Sequence, residues 1–159
     1  MLKVDTMICE AIRAYGHRNV TSTHRSTFEV TRDAEIGLAA DCIIAVGADK
    51  SAAMLSDSFR KAVASDDAQI TAIIRCDGHS DTVTGRGSSQ MTFTDVHSMV
   101  FRVSNYICGR TVMIYADKAA RNLDRGLIAA LASGKEAEIE LRAEHAPMPE
   151  PSFDVIFEG

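Results

Sequence analysis

In "STFEVT" the apolar residues Phe28 and Val30 alternate with Thr27, Glu29 and Thr31. That period of two predicts a half-buried strand. Extended chain is expected over residues 7–15 and 19–31. The run "CIIAV" at 42–46 is continuously apolar, as in a strand buried on both faces. The period then changes. Ala52, Leu55, Phe59, Ala62 and Val63 recur at helical spacing and predict a helix over 50–65. "QITAIIRC" at 69–76 returns to a strand. A short strand "TVT" is expected between the turn-rich "DGHSD" and "GRGSS". "QMTFTD", "SMVFRVS" and "RTVMIY" read as three more strands. A second helix is expected over 118–133, stopped by Gly134. "EAEIELRAE" alternates like a strand with one wet face. About eight to ten short strands and two helices favour a sheet-rich α+β domain or a sandwich with helices over a doubly wound fold.

Residues 1–145 are expected to form one domain. Residues 146–159 begin with "HAPMPEPS" nearby, whose prolines predict an extended linker, and end in "FDVIFEG", a candidate terminal strand. Such a strand could add to a sheet edge and build a homodimer.

The chain also repeats itself. "VGADKSAAML" is echoed by "IYADKAARNL". Laying Ala48–Ser65 on Ala116–Ser133 gives identity at eight of eighteen positions, where chance gives roughly one or two. Two halves related by an approximate two-fold axis are therefore expected. Asp49 and Asp117 are placed to be helix N-caps. Lys50 and Lys118 then sit at the first helical position, where a cation opposes the helix dipole by about 0.3–1 kcal/mol. Either a carboxylate offsets that cost, or a bound anion does, since a helix start with a lysine is a ready anion site. Asp49, Lys50, Asp117 and Lys118 are thus candidate residues for a small anionic ligand.

The 159 residues include 46% apolar and 25% charged residues, ordinary for a globular domain. The net charge of −5 argues against broad nucleic-acid binding. The chain offers no apolar run of membrane-spanning length and its first residues lack an apolar signal core, so a cytoplasmic location is expected. Cys9, Cys42, Cys76 and Cys108 form no C-x-x-C pair and are expected to be reduced, mostly core thiols. The most polar extended stretch, "GHRNVTSTHRSTFE", holds His17 and His24. With Asp41 they are candidate catalytic residues for a hydrolase. Their spacing, with or without His79, matches no zinc signature, so no metal site is assigned. A cofactor is not legible. Cys42 or Cys76 could be imagined as a nucleophile, but thiols beside apolar strands are usually inert. "GRGSS" could cradle a phosphate, though a lone Gly-x-Gly after a strand is more often a hairpin.

"AYGHRNVTSTHRSTFEVT", "DCIIAVGADK" and "RTVMIYADKAARNLDR" resemble, in this order, an archaeal family of unassigned function, domain of unknown function 371. The resemblance covers roughly residues 14–141. It implies a mainly β, jelly-roll-like sandwich carrying helices, and it transfers no catalytic residues. The family pattern falls here on Gly16, His17, Asn19, Thr23, His24, Thr27, Asp41, Cys42 and the two Asp-Lys elements. Ala40 stands where the pattern implies glycine. Residues from Ala146 onward lie outside the resemblance.

Overall fold

A computed structural model describes residues 7–148. The first half of the chain contributes β1 (Ile8–Tyr15), β2 (Thr27–Thr31), β3 (Ile43–Ala45), a 3-10 turn at Ala52–Met54, α1 (Asp57–Val63) and β4 (Ala68–Cys76). The second half runs through the same order: β5 (His79–Arg86), β6 (Ser98–Arg102), β7 (Thr111–Met113), a 3-10 turn at Ala120–Asn122, α2 (Arg125–Ala132) and β8 (Glu136–His145). The repeat read from one helix therefore extends over the whole domain. β1 and β5 begin 71 residues apart, as do β2 and β6, while β3 and β7 begin 68 apart. The three-residue difference lies in the loop after β2.

The strands form two four-stranded sheets, ordered β1-β8-β4-β5 and β3-β2-β6-β7. Each sheet has a strand of one half beside its own counterpart at the centre: β4 against β8, and β2 against β6. That is the arrangement a two-fold axis through both sheets requires. Phe28 is register partner to Phe101 across β2–β6, and their rings stack with centroids 4.4 Å apart. Phe28, Phe101, Phe59, Leu127, Ile74 and Ile139 belong to one core cluster. The expected mainly-β sandwich with two helices is what the chain forms. Its sheets are not wholly antiparallel, since β2–β3 and β6–β7 run parallel. Single antiparallel bridges, Tyr15 with Val46 and Arg86 with Ile114, tie the sheets together at two corners.

Both corners need glycine. A side chain on Gly16 would overlap the carbonyl oxygen of Leu131, and one on Gly87 that of Val63. Each glycine thus lets the end of the other half's helix come close. The halves interlock and do not merely touch.

Several expected elements differ in extent. Both predicted helices are broken into a 3-10 turn and a shorter α-helix, because the chain turns extended at Leu55 and at Leu123. Residues 19–26 and "QMTFTD" are loops, since their backbone groups bond to neighbouring loops and not to a ladder. "TVT" grows into the full eight-residue β5. Gly134, at φ 85°, follows α2 as expected. Of the cysteines only Cys76 is buried, while Cys9 lies on the wet face of β1. The expected strand "FDVIFEG" lies outside the described residues. No helix among the described residues is long and apolar enough to cross a membrane.

Candidate functional site

The Asp-Lys turns are built twice, and they are built from the protein's own charges. Asp49 and Asp117 do not cap helices. Each instead pairs with the first strand of its half. The Asp49 carboxylate accepts from the Arg13 N–H at 3.1 Å and that of Asp117 from the Thr84 N–H at 3.0 Å. The caps are Ser56 for α1 and Asp124 for α2, one turn later. Lys50 makes an ion pair with Glu10, and Lys118 with Asp81. The same carboxylates reach the helix starts: Glu10 accepts from the Ser56 N–H at 3.0 Å, and Asp81 from the Asp124 N–H at 2.8 Å. Burial pushes the carboxyl of Glu10 up. The hydrogen bonds from Lys50 and Ser56 outweigh it and hold the group below the usual range. Asp81 behaves alike, with burial overcome by Lys118 and by backbone N–H groups. Of the two ways to offset a lysine beside a helix start, the chain uses the carboxylate.

The histidine segment does not assemble a triad. His17 has both ring nitrogens committed: Nδ1 accepts from the Asn19 N–H at 3.0 Å, and Nε2 bonds the Glu35 carboxylate at 2.6 Å. His24 turns Nδ1 onto the N–H groups of Ser26 and Thr27, both at 3.2 Å. Asp95 does the same for His97 and Ser98 in the second half, so His24 replaces an aspartate as a turn cap. Asp41 meets His24 through its backbone, its carbonyl accepting from the N–H groups of Thr23 and His24. No hydrogen bond joins the side chains of His17, His24 and Asp41 among the described residues.

Beside them, on the face of β2 away from the core, lies Glu29, its side chain 12% exposed. Arg110 stands 3.7 Å away, and the Cys42 thiol points at the carboxylate from 3.9 Å. Burial raises the Glu29 carboxyl above its usual range, against the pull of Arg110. Burial, and then the charge of Glu29, pushes the Cys42 thiol up to about 11, so it is protonated at neutral pH and a poor nucleophile. Cys108 is the opposite. Burial pushes it up, but the Arg110 N–H, the Thr111 hydroxyl and the Arg102 guanidinium outweigh that and leave it at about 7.

A cavity opens at the β5–β7 corner. It measures about 320 Å³ and is walled by Asp66, Arg86, Ser88, Gln90, Asn105 and Tyr115. Ligand pockets of roughly 300–1,000 Å³ are usual. Arg86 donates from one Nη to the Ala146 carbonyl at 2.6 Å, while its Nε is buried with no acceptor. No carboxylate among the described residues lies within 4 Å of its guanidinium. Gln90 and Asn105 make no side-chain hydrogen bond among the described residues. Asp66 accepts from the Ser89 N–H and hydroxyl through one oxygen. A somewhat larger surface hollow, about 390 Å³, lies by the β4–β5 hairpin. Its charges are already matched, Arg75 by Glu138 and Asp77 by Lys135.

Of the corner residues, Arg86, Gly87 and Ser88 fall in "GRGSS", the stretch that reads as a phosphate cradle or a hairpin, while Asp66, Gln90, Asn105 and Tyr115 were not singled out. One signal was there. In the repeated element, glycine in "VGADK" becomes tyrosine in "IYADK", which places Tyr115 where the other half has Gly47. Among the described residues no three His, Cys, Asp or Glu side chains are arranged to hold a metal ion.

Residues 12–144 match the family described as a domain of unknown function, number 371. The chain is also 38% identical over 125 residues to the uncharacterized protein MJ0206 of Methanocaldococcus jannaschii, covering 79% of this chain and 92% of that relative. The match spans both halves, both Asp-Lys turns and both corners. The chain thus belongs to the domain of unknown function 371 family.

Proposed function

We propose that this protein binds a small anionic ligand, and that the ligand sits in the β5–β7 corner around Arg86. The observation that carries this is an arginine with no carboxylate partner among the described residues, in the wall of a polar cavity. A guanidinium with a buried, unbonded Nε leaves part of its desolvation cost of about 1–3 kcal/mol uncompensated. An anion brings both charge and acceptors, and a small turn of the guanidinium presents its remaining donors. The hydroxyl of Ser88 and the amides of Gln90 and Asn105 complete a set able to hold a phosphate or a carboxylate. The Asp-Lys turns are the poorer place, because Glu10 and Asp81 already occupy both lysines and both helix starts.

The test is calorimetry with phosphate, phosphorylated sugars and small dicarboxylates on the parent and on Arg86→Gln. Binding by the parent, lost at least tenfold in the variant, is expected. Equal binding by both, or none by the parent to any anion, rejects the site.

A further inference from the structure

Tyr115 has a backbone φ of 51°, in the left-handed region where a bulky side chain is disfavoured. Its counterpart in the first half is Gly47, at φ 59°, the residue that conformation favours. The same turn is therefore made once cheaply and once at a cost. Core packing does not offset that cost, because Tyr115 is 55% exposed. Its ring instead forms part of the wall of the Arg86 cavity. The neighbouring exposed tyrosine, Tyr106, has its face covered by the Arg102 guanidinium, 4.9 Å from the ring centroid. Tyr115 has no such cover among the described residues. Ile107, Ile114 and Met148 add apolar surface to the same wall. Asp66 lines the same cavity, and its Oδ2, the carboxylate oxygen not bonded to Ser89, is an acceptor suited to ring N–H or amino groups.

We propose that the ligand is a nucleoside monophosphate, with its phosphate on Arg86, its flat base on the exposed face of Tyr115 and base N–H groups toward Asp66. This rests on the reading of the corner as an anion site and adds the ring. A cavity of about 320 Å³ is at the small end for ligands and suits one nucleotide, not a dinucleotide or a strand. Stacking of a base on an aromatic side chain is the interaction an otherwise uncovered ring supplies.

The experiment compares AMP, GMP and CMP with ribose 5-phosphate and inorganic phosphate by calorimetry, on the parent, Tyr115→Gly and Arg86→Gln. Tyr115→Gly is safe for folding because the other half already has glycine at this place. At least one monophosphate is expected to bind about tenfold more tightly than ribose 5-phosphate. Tyr115→Gly should erase that advantage and leave ribose 5-phosphate binding unchanged, while Arg86→Gln should weaken both. If no monophosphate exceeds ribose 5-phosphate, or Tyr115→Gly leaves the advantage intact, the nucleotide assignment is overturned while the anion site stands. If neither class binds and Arg86→Gln changes nothing, both readings are overturned.

Discussion

The two corners where the sheets meet are equivalent by the internal two-fold, yet one is shut and the other is open. At the β1–β3 corner the ring of Tyr15 lies against Gly47, within 3.3 Å of where a side chain on that glycine would begin. There His17, Asn19 and Glu35 bond to one another and to the backbone of Ile36. At the β5–β7 corner the counterparts of Tyr15, His17, Asn19 and Gly47 are Arg86, Ser88, Gln90 and Tyr115, and a cavity remains. The aromatic residue has moved from the strand to the turn, and its former place has become an arginine. The backbone barely registers the change: both bridges, both corner glycines and both left-handed turns are kept. What differs is which groups have partners. Polar residues at the first corner satisfy each other, while those at the second face a space.

The largest effects should come from what the corners share. Gly16→Ala and Gly87→Ala each force a methyl group into a carbonyl oxygen. Each should lose about 3 kcal/mol or more, seen as a fall of roughly 6 °C or more in thermal melting. A loss below about 1 kcal/mol at either glycine would show that the close approach of helix and corner is not required.

Next come the ion pairs that anchor the turns. Lys50→Met and Lys118→Met leave the largely buried carboxylates of Glu10 and Asp81 without a cation, and about 2 kcal/mol should go in each case. Glu10, at 6% side-chain exposure against 12% for Asp81, should suffer more. The folded carboxyls lie below their usual range, so this stability is present above about pH 4.5 and fades as pH falls through the depressed values. Melting curves of parent and variants should therefore converge at pH 2–3. A gap that persists there means the lysines act by packing alone.

The turn residues sharpen the contrast directly. Gly47→Ala meets both a positive φ and the Tyr15 ring, and should cost about 1 kcal/mol. Tyr115→Gly relieves the same strain and should stabilise or leave stability unchanged in chemical denaturation. A Tyr115→Gly variant clearly less stable than the parent would show that the tyrosine serves the fold.

The smallest expected effect lies away from both corners. Glu29 has a raised folded value, so its neutral form is the one the fold favours. That contribution is complete below about pH 4.5 and is lost as pH rises through the folded value. Glu29→Gln should thus raise stability by up to about 1 kcal/mol at pH 8 and hardly at all at pH 4. The reverse dependence would mean that the pair with Arg110 dominates burial.

Periodicity carried much of the fold. Phe28/Val30 against Thr27/Glu29 marked β2, and "QITAIIRC" marked all of β4 but its first residue, because a strand leaves its pattern in any sequence. The helices were placed but overextended. Leu55 and Leu123 keep helical spacing while their backbones are extended, and apolar periodicity cannot see that break. Asp49 looked like a cap because a carboxylate serves a helix start and a strand edge equally well. Only the approach to Arg13 decides, and Arg13 lies thirty-six positions earlier in the chain. The candidate site was hidden for a different reason. Gln90 and Asn105 are unremarkable in sequence, "GRGSS" around Arg86 read more readily as a hairpin, and only the closure of β5 onto β7 brings them round one space. Tyr115 is marked in the sequence only as the residue that stands where the first half has Gly47.

Asp77 and Gly78 alone connect the two halves, in a tight turn with both residues at positive φ. That short tie has an evolutionary meaning. An ancestor with one half per chain would have had to assemble as a pair of identical copies, and every substitution would then have appeared at both corners together. A tyrosine that seals one corner would have sealed the other, and an arginine that opens one would have opened both. Two copies joined in one chain through two residues are free of that constraint. One corner could become mortar while its twin was left free to acquire a use.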